Sequence, residues 1–158
     1  MNGHTAQRGF SLIELLIVIA IIGIIAAIAT PNLLAARRAA NEASAISATR
    51  GLSSVEETYR STTGGGLRYA SLAALHSDHL IDGSLASATA AATAKSGYIY
   101  KVTLTASDTY YCAGAAPTSE SNGTRNFSTD MPGVIFTHAL SVGSPPTSTA
   151  GGTPLSTQ

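Results

Sequence analysis

Glu14 is the residue whose surroundings most demand a chemical explanation. It lies in Phe10–Ala29, a run of twenty residues with no other charge. A carboxylate in an apolar helix costs roughly 2–3 kcal/mol at a bilayer centre, and less near the end of the segment, where Glu14 stands. Two chemistries answer that cost. The side chain can reach back to the membrane interface. Alternatively, it can find a positive partner inside the bilayer, such as the terminal amine of another subunit. A buried charge that gains its partner only on association favours association and sets its register. Upstream stands Gly9, which has no side chain and leaves the backbone there unrestricted.

Other residues offer less. His76, Asp78, His79 and Asp82 are close in sequence, and two histidines three apart can share a helix face and bind a metal. We read them instead as a solvated helix end and loop, and expect no metal and no cofactor. No Ser-His-Asp, Cys-His or paired-carboxylate pattern stands out. The glycine runs lack the Gly-x-x-x-x-Gly-Lys spacing of a phosphate loop. The sequence therefore does not read as an enzyme. Nine basic residues balance nine acidic ones, and only 11% of residues are charged, so there is no nucleic-acid footprint. Cys112 is the sole cysteine; it cannot form an intramolecular disulfide and reads as a small buried residue in a strand. Tyr98, Tyr100, Tyr110 and Tyr111 read as core and rim residues. Asn122-Gly-Thr and Asn126-Phe-Ser are glycosylation triplets, a pattern that arises easily by chance.

These residues need elements to position them. At 1.5 Å per residue a helix over Phe10–Ala29 is about 30 Å long, one bilayer core thickness. A secretory apolar region is shorter, although Ala27-Ile28-Ala29 superficially resembles a signal cleavage site. Charge does not orient the segment, because Arg8 lies on one side and Arg37 and Arg38 on the other. Thr30-Pro31 interrupts the apolar run. It could start a new helix, with Thr30 as N-cap. We expect instead a continuous helix kinked near Pro31, with Gly23 as a second weak point. Downstream, Ala45, Ala48, Leu52, Val55 and Tyr59 follow 3-4-3-4 spacing, one stripe of an amphipathic helix reaching about Arg60. Arg50 and Glu57 lie opposite.

Arg8-Gly9-Phe10-Ser11-Leu12-Ile13-Glu14-Leu15-Leu16 resembles the prepilin processing motif shared by type IV pilins and type II secretion pseudopilins. The resemblance implies cleavage between Gly9 and Phe10 by an inner-membrane prepilin peptidase, which then methylates the Phe10 amine. It implies retention of the apolar helix, and pairing of Glu14 with the Phe10 amine of a neighbouring subunit. The expected partners are other copies of the chain in a helical filament, the peptidase/methyltransferase, inner-membrane assembly machinery, and the membrane before assembly. The precursor would be a single-pass inner-membrane protein, and the assembled form an extracellular surface pilus. Two departures bear on the subclass. One cysteine cannot close the C-terminal disulfide loop of many major pilins. The chain has no Trp and no clear calcium-ligand cluster, unlike many major pseudopilins, which favours a pilus. A pseudopilin is the alternative, and a monomeric signal-anchored binding domain the third reading.

Beyond the helix, Ser61–Gly66 reads as a stop rich in glycine. Tyr69–Leu75 predicts a short helix, and Ser87–Lys95 a loop or weak helix. Gly97–Thr105 alternates as a strand, with Thr109–Ala115 as its hairpin partner. Arg125–Thr129 and Val134–Thr137 predict two more short strands. The expected fold class is α+β and pilin-like: a long N-terminal transmembrane helix packed on an antiparallel sheet of three or four strands. The expected organisation is a leader over 1–9, a transmembrane and assembly helix over 10–30, its amphipathic continuation over 31–60, a small domain over 61–143, and a flexible Ser/Thr/Pro/Gly-rich tail over 144–158.

Overall fold

The computed structural model describes residues 10–131 and 133–155. The chain divides into two units after Ala36. One helix, α1 (Leu12–Ser61), contributes to both.

In the first unit every residue from 10 to 36 is exposed. The most apolar 18-residue window of α1 has a mean hydropathy of 3.0, and none of it is buried within the chain. Leu, Ile and Ala lose little on entering a helix and bring no competing polar groups. Pro31 lies inside α1 without ending it. Its ring removes one backbone donor, and its two neighbours reinforce the adjacent turns. Thr30 Oγ1 donates to the Ala26 carbonyl at 2.7 Å, and Asn32 Nδ2 to that of Ile28 at 3.1 Å.

The second unit holds the core. There the buried residues of α1 are Glu42, Ala45, Thr49, Leu52 and Glu56. Their 3-4-3-4 spacing is the one read from the sequence, but the stripe is turned partly onto polar residues. Ala48, Val55 and Tyr59, expected on the stripe, are only partly buried. The helix ends as expected at glycine. Gly64 N–H donates to the Tyr59 carbonyl and Gly66 N–H to that of Arg60, both at 2.8 Å. Gly65 and Gly66 have φ of 61° and 81°, which only glycine adopts without strain.

Two short helices follow. In α2 (Leu72–Ser77) the Ser71 hydroxyl accepts from Ala74 N–H, and in α3 (Gly83–Ala86) the Asp82 carboxylate accepts from Leu85 N–H. α2 begins three residues later than the sequence indicates, at the residue after its capping serine. A 3-10 turn occupies Ala91–Thr93 within the ambiguous 87–95 stretch.

The sheet is antiparallel and follows chain order: β1 (Tyr98–Leu104), β2 (Tyr111–Pro117), β3 (Asn126–Thr129), β4 (Ile135–His138) and β5 (Thr153–Pro154). The β1–β2 ladder runs from Tyr98 opposite Pro117 to Leu104 opposite Tyr111. Strand alternation sends Tyr98, Tyr100, Tyr111, Ala113, Ala115, Phe127 and Ile135 into the same core as Ala45 and Leu52 of the helix.

The sheet has five strands where three or four were expected, and the extra one comes from the segment expected to be a flexible tail. Residues 144–155 instead lie along the sheet. Leu155 N–H donates to the Ile135 carbonyl at 2.8 Å, and Thr149 Oγ1 to Asp130 at 2.9 Å. A Cβ on Gly114 of β2 would collide with the Pro146 carbonyl. Asn126 Nδ2 donates to the carbonyls of Ser141 and Ser144, both at 3.1 Å, while its Oδ1 accepts from Ser141 N–H. Covered on both faces, β2 is buried along its whole length. Composition points to a tail because few apolar residues are present; backbone and side-chain hydrogen bonds do the fastening instead.

Candidate processing and assembly segment

Phe10 precedes the helix and is 86% exposed. Gly9, the expected cleavage position, lies outside the described residues. Ser11 stands immediately before α1, and Glu14 is in its first turn. Glu14 Oε2 accepts a hydrogen bond from Ser11 N–H at 3.1 Å, and Leu15 N–H donates to the Ser11 carbonyl at 3.3 Å. This is the carboxylate half of a capping box, in which an acid three residues past the N-cap reaches back to close the helix start. The Ser-x-x-Glu pattern that signals it stands openly in the sequence, masked only by the apolar run around it. Glu14 thus has a local role: it satisfies one free donor and places negative charge where the helix dipole favours it.

The apolar side chains around it have no cover within the chain. Leu12, Ile13, Ile19, Ile24, Ile25 and Ile28 are between 60% and 79% exposed. Gly23 has no heavy atom within 4 Å of a Cβ built on it, so no contact inside the chain requires glycine there.

In the second unit the chemistry-bearing residues are occupied structurally. Glu42 Oε1 accepts from the backbone and hydroxyl of Thr124, both at 2.7 Å, and Oε2 from Arg125 at 2.8 and 3.1 Å. Burial pushes the Glu42 carboxyl up, but these hydrogen bonds more than offset it and hold the group below the ordinary carboxylate value. Glu56, fully buried, accepts among the described residues only from Ala70 N–H, at 2.9 Å. Burial pushes it up to about 7. Neither acid stands out in the sequence, where an acid on an Ala/Ser-rich helix looks solvated.

His76 Nδ1 meets the Ile81 carbonyl at 3.2 Å, and Asp82 caps α3 and pairs with Lys95 at 2.9 Å. No three His, Cys, Asp or Glu side chains gather as metal ligands among the described residues. Cys112 is buried in β2, and burial pushes its thiol up to about 11, which leaves it protonated and unreactive. Tyr98 donates to the Arg125 carbonyl at 2.9 Å, and Tyr111 lies 3.1 Å from both Ser53 Oγ and the Asp130 carbonyl. The Asn126 amide is buried and committed to the strap over the sheet, which removes it as a glycan acceptor in the folded chain.

An exposed apolar helix that begins just after Phe10 and carries an acid in its first turn resembles a prepilin-type N-terminal segment. Residues 4–30 match the family model described as the prokaryotic N-terminal methylation motif. Over 35 residues the chain is 71% identical to the type IV wide pilus major component PilA4 of Thermus thermophilus. That match covers 22% of this chain and 27% of the relative. No solved structure matches the chain.

Proposed function

We propose that the chain is a structural subunit of a type IV pilus. The observation that carries this is the uncovered apolar helix with Glu14 in its first turn, preceded in sequence by Gly9 and Phe10. Burying a Leu or Ile side chain stabilises by about 1.5–3 kcal/mol. More than a dozen such side chains in one segment therefore drive it into lipid or against copies of itself. In this reading residues 1–9 are a leader removed after Gly9, and Phe10 becomes the N-methylated first residue. Leaving the bilayer, the helices pack together in a helical filament. The Glu14 carboxylate has a second oxygen with which to meet the Phe10 amine of a neighbour. Pairing there satisfies a charge that would otherwise stay in an apolar core, which fixes register. Gly23 and Pro31 give the segment room to bend against other helices. The domain from Arg37 onward forms the exterior, and the chain supplies no catalysis of its own. Processing and polymerisation belong to the peptidase/methyltransferase and to inner-membrane assembly machinery.

Electron microscopy of the native host, with and without an intact gene, tests the reading. Surface filaments that bind an antibody to the Arg37–Leu155 domain, and vanish in the deletion strain, are expected. A deletion strain that keeps its filaments but loses protein export would mark a secretion pseudopilin instead.

A further inference from the structure

Glu56 is at odds with its surroundings. It is 0% exposed, at the C-terminal end of the buried stripe of α1, yet makes one hydrogen bond among the described residues. Oε2 takes Ala70 N–H, while Oε1 is buried without a partner. Glu42, fourteen residues earlier on the same helix face, instead has four donor contacts, two of them from a guanidinium. The same side chain is built into a salt bridge at one position and left without a cation at the other.

The groups on the packed elements explain why no cation reaches it. From the segment before α2 comes the Tyr69 ring, packed at a tilt of 51° against Tyr111 of β2 with 4.7 Å between centroids. The Tyr111 hydroxyl is turned to Ser53 and to the Asp130 backbone carbonyl. Asp130 Oδ2 accepts from Tyr110 and Thr149, while its Oδ1 and the Tyr69 hydroxyl are buried without a partner among the described residues. On the same helix, Glu57 and Arg60 pair with each other at 3.2 Å, and the Arg60 guanidinium lies over the Tyr69 ring at 5.9 Å. A carboxylate here would be an uncompensated buried charge, which costs far more than a neutral acid in the same place.

We propose that Glu56 is a proton-binding latch that joins α1 to the Thr62–Ala70 segment and is held closed by its protonated form. With the proton on, the carboxyl keeps the Ala70 bond and buries no charge. With the proton lost, the charge is relieved by letting Thr62–Ala70, with its run of three glycines, open to water. The sign follows from linkage. The folded domain holds this proton more tightly than the unfolded chain, where a glutamate titrates near 4.5. The latch therefore contributes fully below about 4.5 and loses its contribution as pH rises through about 7. An acidic exterior would tighten the domain and a mildly alkaline one loosen it, whether or not the chain forms filaments.

The test uses the full chain in detergent micelles, with glutamate side-chain carboxyls labelled with ¹³C. Comparison with Glu56→Gln assigns the resonance. A titration midpoint near 7 is expected for Glu56, and a midpoint below about 5.5, close to the ordinary carboxylate range, overturns the proposal. Thermal unfolding gives a second readout. The Tm of Glu56→Gln should gain on wild type by about 4 °C or more between pH 5 and pH 8. Two Tm curves that stay parallel across that range would refute the latch. Should the variant fail to fold, the wild-type carboxyl titration, assigned from labelled Ala70 contacts, decides alone.

Discussion

Glu42 and Arg125 meet in a two-point contact, with Nη2 at 2.8 Å and Nε at 3.1 Å from the same carboxylate oxygen. Together with the Thr124 bonds, this pins the loop between β2 and β3 to the buried face of α1. Asn41 extends the clamp by donating to the Asn122 carbonyl at 3.1 Å. The link is long in sequence and fastens the sheet to the helix beside the shared apolar core.

Glu42→Gln should destabilise the domain by about 1–2 kcal/mol near neutral pH. The charge-assisted bonds weaken, although the partly exposed Arg125 can turn to water. Because the folded-state value of Glu42 lies below the ordinary one, its contribution is present above pH 4.5 and is lost as pH falls further. Denaturant unfolding at pH 7 and pH 3 checks both points: the two proteins should differ at pH 7 and converge at pH 3.

The C-terminal strap should be a structural part of the sheet. Asn126→Ala removes three hydrogen bonds from a buried amide, at a cost of about 1–3 kcal/mol. Limited proteolysis is the direct check. Cleavage within residues 141–155 should be slow in the wild type and accelerate in the variant. A segment cut equally fast in both would show that Asn126 does not hold it.

Glu14→Leu should leave cleavage intact and abolish or greatly reduce filaments. The capping bond from Ser11 to Glu14 supplies a sharper comparison. Glutamine serves a capping box as well as glutamate does, so Glu14→Gln keeps the helix start and removes only the charge. If charge pairing drives assembly, Glu14→Gln fails as Glu14→Leu does. Filament counts restored to wild type by glutamine would assign Glu14 to capping alone.

If the chain is cut after Gly9 as proposed, Gly9→Leu should trap the full-length precursor in the membrane, because a branched side chain restricts the backbone next to the cleaved bond. Immunoblots of membrane fractions resolve the two forms. Normal processing would move the cleavage site elsewhere.

The long helix, its glycine stop, the first hairpin and the existence of two further short strands were legible in the sequence. Apolar content and period 2 or 3.6 write those features directly into residue order. The helix face was legible in period but not in content. Glu42 and Glu56 lie on the buried face because distant donors, Thr124, Arg125 and Ala70, come to meet them, and such donors carry no local pattern. The strap over β2 was hidden for a related reason. Residues 144–155 are fastened by Asn126, Asp130 and backbone groups of β4, so the segment's own composition reads as a chain with nothing to bury. In the N-terminal segment, Gly9, Phe10 and Glu14 stood out by type and spacing. The capping role of Glu14 required only the Ser11-x-x-Glu14 pattern, which the unusual position of an acid in an apolar run obscured.

The most direct test is the intact mass and N-terminal sequence of the protein recovered from the sheared surface fraction of its native host. A chain beginning at N-methylated Phe10 is the expected result, and it would join processing and filament assembly in one observation. A chain still beginning at Met1, or one cut after Ala29, would contradict the assignment of this segment to filament assembly.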